Sequence, residues 1–133
     1  MINLMKGSTI ANQQLTAYFK CGIRGGMRRS KTTNTLVLIS DHTRGVYRDH
    51  WQGSVLNYTG MGLSGDQELD YMQNKTLKET DINGVEVHLF EVFQPGEYLY
   101  QGLVKLAGKP FQEKQTDENN NTRLVWMFPL KKA

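Results

Sequence analysis

Apolar positions along this chain fall in short runs separated by turn signals. Thr35-Leu36-Val37-Leu38-Ile39 is near-continuous, the pattern of a strand buried on both faces. Ser54-Val55-Leu56-Asn57-Tyr58 offers β-branched and aromatic residues for a second strand. Over 85–93, Val85, Val87 and Leu89 alternate before Phe90 and Val92 enter, which predicts a bulge or burial on both faces. Gln94-Pro95-Gly96 is a turn, 97–106 a further strand, and 124–130, with Trp126 and Phe128, the closing one. Between the last two, 111–122 is polar and asparagine-rich and reads as an exposed hairpin tip.

Helical spacing is scarcer. Asn12 caps a short helix through Lys20, with Leu15, Tyr18 and Phe19 on its apolar side. Asp66 caps a second over 67–78, where Leu69, Tyr71, Met72 and Leu77 are available for burial, and Ile82-Asn83-Gly84 then turns. Residues 1–11 show little pattern and read as a loose arm or an edge strand. The sum is an α+β domain, a small curved sheet or barrel of roughly five or more strands with one or two helices packed on it.

Length agrees with one domain over 1–133, with 131–133 as the place where a linker to another domain would begin. No apolar run approaches the roughly 20 residues that span a bilayer, and no signal-peptide pattern opens the chain. The single cysteine, Cys21, rules out an internal disulfide and fits a reducing cytoplasm. His42, His50 and His88 are scattered without zinc spacing, so no metal and no cofactor is expected. Charge is more informative in its distribution than in its net value of +3. Before Asp41 the chain has no acid, yet it carries Lys6, Lys20, Arg24, Arg28, Arg29 and Lys31. Around Gly22, Gly25 and Gly26 this reads as a basic loop, either a solvated face or a footprint for phosphates.

The stretch 57–77 carries the candidate chemistry. Gly60, Gly62 and Gly65 follow Tyr58 and Thr59 directly, which lets the main chain take positive φ and lets a partner approach it. The spacing is neither a dinucleotide fingerprint nor a P-loop. An aromatic ring and a hydroxyl thus stand on the lip of a strand beside a bare loop, geometry that suits a flat, hydrogen-bonding guest. Upstream, 40–53 is dense in polar and aromatic groups, including Asp41, His42, Tyr47, Asp49, His50 and Trp51, and long polar loops between core strands often serve function.

Tyr58-Thr59-Gly60-x-Gly62, Asp66-Gln67-x-Leu69 and Asn74-x-x-Leu77 together resemble the core signature of SRA (SET- and RING-associated) domains, which read modified cytosine. Gly22-Ile23-x-Gly25 and Leu36-Val37-Leu38 resemble the same family's preceding loop and strand. The likeness extends over about 12–130 and is greatest to SRA-like modules at the N-terminus of bacterial HNH modification-dependent restriction endonucleases. It implies a PUA-like barrel that binds duplex DNA and flips one 5-methyl- or 5-hydroxymethylcytosine into a pocket, where stacking and Watson–Crick-edge hydrogen bonds read it.

By that likeness Tyr58 is the stacking aromatic, and Thr59 and Gly60 line the pocket. The family's acid, which accepts from the cytosine amino group, falls on Asp41 in preference to Asp49. Its second aromatic falls on Tyr47 in preference to Trp51. Lys20, Arg24, Arg28, Arg29 and Lys31 would contact phosphates. The chain departs from the family after Gly62, where only Leu63-Ser64-Gly65 replaces the long loop that enters the DNA groove. On this reading the chain binds without cutting, and a nuclease domain would lie C-terminal to it. Two other classes share its features: a PUA-type RNA-binding module, and an enzyme acting on nucleotides or RNA through Asp41, His42 and Asp66.

Overall fold

The computed structural model describes residues 4–44, 48–63, 65–117 and 119–133. Its elements run β1 (Thr9–Ile10), α1 (Asn12–Phe19), β2 (Met27–Ser30), β3 (Thr35–Asp41), β4 (His50–Gln52), β5 (Val55–Thr59), α2 (Gln73–Lys78), α3 (Thr80–Asn83), β6 (Glu86–Gln94), β7 (Glu97–Leu106), β8 (Phe111–Thr116) and β9 (Thr122–Lys132). The strands form one mixed sheet ordered β2-β3-β6-β7-β9-β5-β4, with β1 added on β7 and β8 on β9. Among the described residues only β3 and β6 pair in parallel; the other pairs are antiparallel. The α+β reading holds, with an open sheet and short helices in place of a closed barrel.

The near-continuous apolar run of β3 is buried on both faces. Leu36 and Leu38 enter one core with Leu56, Tyr58, Val87, Leu89 and Phe128. Val37 and Ile39 enter a second with Leu15 and Phe19 of α1 and with Phe90, Val92 and Tyr100. Strand β6 divides its side chains the same way, which explains its mixed pattern. The register against β7 also shifts between Leu89 and Phe90, so the expected bulge is present as well.

Although β3 and β5 lie far apart in strand order, the sheet curls until they meet. The Tyr58 hydroxyl lies 2.6 Å from the Gly26 carbonyl and 3.1 Å from that of Ile39. Side chains, not a ladder, therefore close this seam.

Several local expectations change. Asn12 does not cap α1; Ala11 precedes the helix, its N–H bonded to Gln14 Oε1, while Asn12 Nδ2 donates to the Ile23 carbonyl. The helix predicted over 67–78 shrinks to α2, because Gln67 is tied to the sheet: its N–H donates to Leu124 O and its Oε1 accepts from Trp126 N. Asp66 likewise accepts from Leu124 N instead of capping a helix. Residues 111–116, read as part of a hairpin tip, are β8 paired with β9, and the tip itself begins at Asp117, whose N–H donates to Asn121 O. Lys131 and Lys132 belong to β9 and pair with Lys105 and Val104. Residues 9–10 take the edge-strand option, paired with Tyr98 and Leu99.

Candidate functional site

The glycine-rich stretch after β5 is fastened in place. Asn74, fully buried, accepts from Met61 N at 2.7 Å and donates to Met61 O and Glu68 O, each at 3.1 Å. Gln67 Nε2 donates to Gly60 O and Gly62 O, and Arg123 Nη1 donates to Gly62 O and Gly65 O. Gly60 is required by space: a Cβ there would stand 2.7 Å from Asn74 Oδ1 and 3.0 Å from the Phe128 ring. Arg123 is buried with no carboxylate partner among the described residues, and its Nε and Nη2 find no acceptor. Neighbouring Gln115 leaves Oε1 unpaired while its Nε2 lies 3.4 Å from Thr59 Oγ1.

Opposite this stretch, the seam carries a connected set of polar groups. Strand β4 ends its pairing at His50 with Asn57, so the β5 edge beyond is open, and Asp49 Oδ1 accepts the Thr59 N–H at 2.6 Å. Asp49 Oδ2 accepts from Ser40 Oγ at 2.7 Å. Burial pushes the Asp49 carboxyl above its usual range, against the lowering effect of the Thr59 and Ser40 hydrogen bonds.

His42 Nε2 lies 2.8 Å from Glu91 Oε2 and 3.4 Å from Ser40 Oγ. A carboxylate only accepts, so this nitrogen carries the proton and gives it to Glu91, while Ser40 separately donates to Asp49. Glu91, 2% exposed, also accepts from Trp51 Nε1 at 3.1 Å and from Gln101 Nε2 at 2.8 Å. The His42 ring stacks on exposed Phe93, 4.9 Å between centroids.

The anticipated residues are distributed unevenly over this geometry. Thr59 and Gly60 sit at the seam. Tyr58 does not stand clear of the core: it is 2% exposed, and its hydroxyl faces Gly26 O and Ile39 O. Asp41 caps a turn, accepting from Thr43 N and Thr43 Oγ1, and the enclosed acid is Asp49. Trp51 reaches the cluster through Glu91, while Tyr47 lies outside the described residues. Among the basic residues, Lys20, Arg24 and Lys31 are exposed. Arg28 is 5% exposed, its Nε bonded to Gly25 O and its Nη1 to Asn12 Oδ1. Arg29 is bonded to Ser30 O, Thr35 O and Asn34 Oδ1.

Sequence reasoning missed Ser40, Glu91 and Gln101. One signal was present: a glutamate between Phe90 and Val92, at a position on the Val87 and Leu89 face, is a carboxylate inside a core strand.

Comparison with known families covers nearly all of the chain. The profile of the family described as "ScoMcrA-like, SRA domain" matches residues 6–133. The chain belongs to that SRA family. No curated protein matches this SRA domain. Among solved structures, the sulfur-binding and SRA domains of ScoMcrA complexed with phosphorothioated DNA superpose with a TM-score of 0.79 at 19% identity, covering 98% of this chain and 40% of that one. The SUVH5 SRA complex with hemimethylated CG DNA gives 0.72 at 22% identity, over 100% of this chain and 91% of that one. The modification-dependent restriction endonuclease TagI gives 0.68 at 21% identity, over 97% and 50%. The SRA domain is a DNA-binding module, and the family match is to this module, not to a catalytic one.

Proposed function

We propose that this SRA domain binds duplex DNA carrying 5-methyl- or 5-hydroxymethylcytosine and turns the modified base out of the stack into the seam between β3 and β5. The observation that carries the reading is Asp49: an enclosed carboxylate on the lip of the Tyr58-Thr59-Gly60 motif, held by one main-chain N–H and one serine hydroxyl. Such a carboxylate is an acceptor for the cytosine 4-amino group, and one enclosed between strands is reached by a base turned out of the stack. We assign this role to Asp49 in place of Asp41.

Tyr58 forms the inner wall of the seam and Trp51 the outer aromatic. Lys20, Arg24 and Lys31, exposed at the surface, meet phosphates. ScoMcrA and SUVH5 were solved with modified DNA, and TagI is a modification-dependent nuclease, which supports a place for this chain as the targeting half of a cytoplasmic restriction endonuclease with a C-terminal nuclease domain.

The test measures affinity for duplexes differing at one cytosine, unmodified, 5-methyl or 5-hydroxymethyl, beside a structured RNA. Both modified duplexes should bind more tightly than the plain one, and RNA no better than plain duplex. Equal affinity for all three duplexes, or preference for the RNA, overturns the proposal.

A further inference from the structure

We infer that Glu91 is a positioning residue for base reading: it holds the Trp51 indole in place beside Asp49 before DNA arrives. The inference rests on the modified-cytosine reading above and adds the residue that sets its outer wall.

A carboxylate inside a core strand costs stability unless hydrogen bonds offset its lost hydration. Glu91 is 2% exposed, and among the described residues no lysine or arginine pairs with it. Three neutral donors surround it. Gln101 Nε2 of β7 donates to Oε1 at 2.8 Å, while His42 Nε2, just beyond β3, and Trp51 Nε1 of β4 share Oε2 at 2.8 and 3.1 Å. Strands β3 and β7 are sheet neighbours of β6, but β4 lies at the far end of the strand order, three exposed residues paired with β5. The Trp51–Glu91 bond therefore crosses the seam.

Register makes this bond one of two rungs. Ser40 and Glu91 are direct partners in the parallel β3–β6 ladder, so their side chains leave the same face. Asp49 and Trp51, two residues apart, answer them from the other side. One rung joins Ser40 Oγ to Asp49 Oδ2 at 2.7 Å, the other Trp51 Nε1 to Glu91 Oε2 at 3.1 Å. The acceptor and the outer ring assigned to the base thus hang from adjacent residues of neighbouring strands.

The tether matters because of where the ring stands. Trp51 is 36% exposed on a three-residue edge strand. Without an acceptor for its N–H, such a ring samples several rotamers, and binding a base must then order it. A ring already held by Glu91 avoids that ordering cost. Indole only donates, so the partner has to be an acceptor, which the buried carboxylate supplies.

The experiment titrates wild type, Glu91→Met, Glu91→Gln, Trp51→Phe and the Glu91→Met/Trp51→Phe double variant with plain, 5-methyl and 5-hydroxymethyl duplexes, beside melting curves. Glu91→Met should weaken modified-duplex binding about tenfold, the worth of a hydrogen bond to a charged group, with plain duplex unchanged. Glu91→Gln keeps an oxygen for the indole and should retain most of the affinity. In the Trp51→Phe background, Glu91→Met should add less than about a twofold loss, because its effect runs through the indole N–H. Ring position is read without DNA in a Trp126→Phe protein, where Trp51 is the remaining tryptophan. Acrylamide quenching there should rise with Glu91→Met and stay at the wild-type level with Glu91→Gln. Additive losses in the double variant, equal losses on plain and modified duplex, or unchanged quenching each overturn the inference and leave the modified-cytosine reading standing. Trp51→Phe binding as tightly as wild type also overturns it, whether or not Glu91→Met folds. A wild type that binds all three duplexes equally sinks the parent reading instead, and the role of Glu91 in base reading with it.

Discussion

The two segments that flank β5 on either side of the seam are built on opposite principles. The glycine-rich stretch 60–65 resembles a flexible binding loop, yet Asn74, Gln67 and Arg123 hold its main chain at Gly60, Met61, Gly62 and Gly65. Across the seam, the Ser40, His42, Asp49 and Trp51 side chains bond chiefly to one another and to Glu91. The first segment is a frame with its hydrogen-bonding capacity spent on itself. The second keeps donors and acceptors at the surface of a core, at the cost of burying carboxylates. Glycines mark where the chain must fit; the unusual polar burial marks where it has chemistry to offer.

Breaking the frame should have the largest effect, on stability. Tyr58→Ala removes a buried ring from the first core, which should cost about 3–5 kcal/mol. For a domain of this size that is roughly 4 °C of Tm per kcal/mol. Tyr58→Phe, losing only the hydroxyl across the seam, should cost about 1 kcal/mol. Asn74→Ala strands the Met61 N–H and the Met61 and Glu68 carbonyls, for a loss of roughly 3 kcal/mol. Thermal melts check all three. Affinities of the folded Asn74→Ala protein for plain and modified duplex should keep their ratio; a changed ratio would show that the frame itself reads the base.

Breaking the polar side should have a smaller effect on the fold and a selective one on binding. Asp49→Asn keeps an acceptor for Thr59 N–H but replaces the other oxygen with a donor. Affinity for modified duplex should fall about 10- to 100-fold, the worth of a charge-assisted hydrogen bond, with plain duplex unaffected. Stability should move the other way. Burial raises the Asp49 pKa in the folded state, so between the unfolded and folded values the native protein binds the extra proton. Stability from this group is thus fully present below the unfolded pKa and lost as pH rises through the folded one. The asparagine variant should therefore lack that loss and be at least as stable as wild type at neutral pH. Paired melts across the acidic range test this, and an Asp49→Asn protein that melts lower at pH 7 refutes the sign.

Most of the strand plan was legible because β3 carries a near-continuous apolar run, and β6 the closely spaced Val87, Leu89, Phe90 and Val92, that only burial explains. The family was legible in Tyr58-Thr59-Gly60 and Asp66-Gln67, and the structure shows why those residues travel together: Gln67 grips the carbonyls that follow Thr59. The choice of acid was not legible. Asp41 and Asp49 are equally polar in sequence, and what separates them is the curl of the sheet, which brings Ser40 and the open β5 edge to Asp49 and leaves Asp41 to a local turn. Nor was the helix at 67–78, because a glutamine used as a strand-like clamp has the same sequence as one opening a helix.

The basic segment offers the finest comparison, between two arginines four residues apart. Arg24 is exposed, whereas Arg28 is buried against Asn12 and Gly25 with the Tyr98 ring 5.8 Å from its guanidinium carbon. If charge alone governed, either alanine variant would lower the log–log salt slope of DNA binding by roughly 0.9, the signature of one lost phosphate contact. Geometry separates them. Arg24→Ala should lower the slope by about that amount on plain and modified duplex alike, with Tm unchanged. Arg28→Ala should leave the slope of the folded protein where it was, because its nitrogens already bond within the chain. Its cost should appear in the melt, where Asn12 Oδ1 and Gly25 O lose a charged donor worth about 1.5–3 kcal/mol. Salt titrations beside melting curves distinguish the outcomes. A slope that falls for Arg28 and not for Arg24 would place the phosphate contact in the interior of this segment, and would require the Asn12 and Gly25 bonds to open when DNA binds.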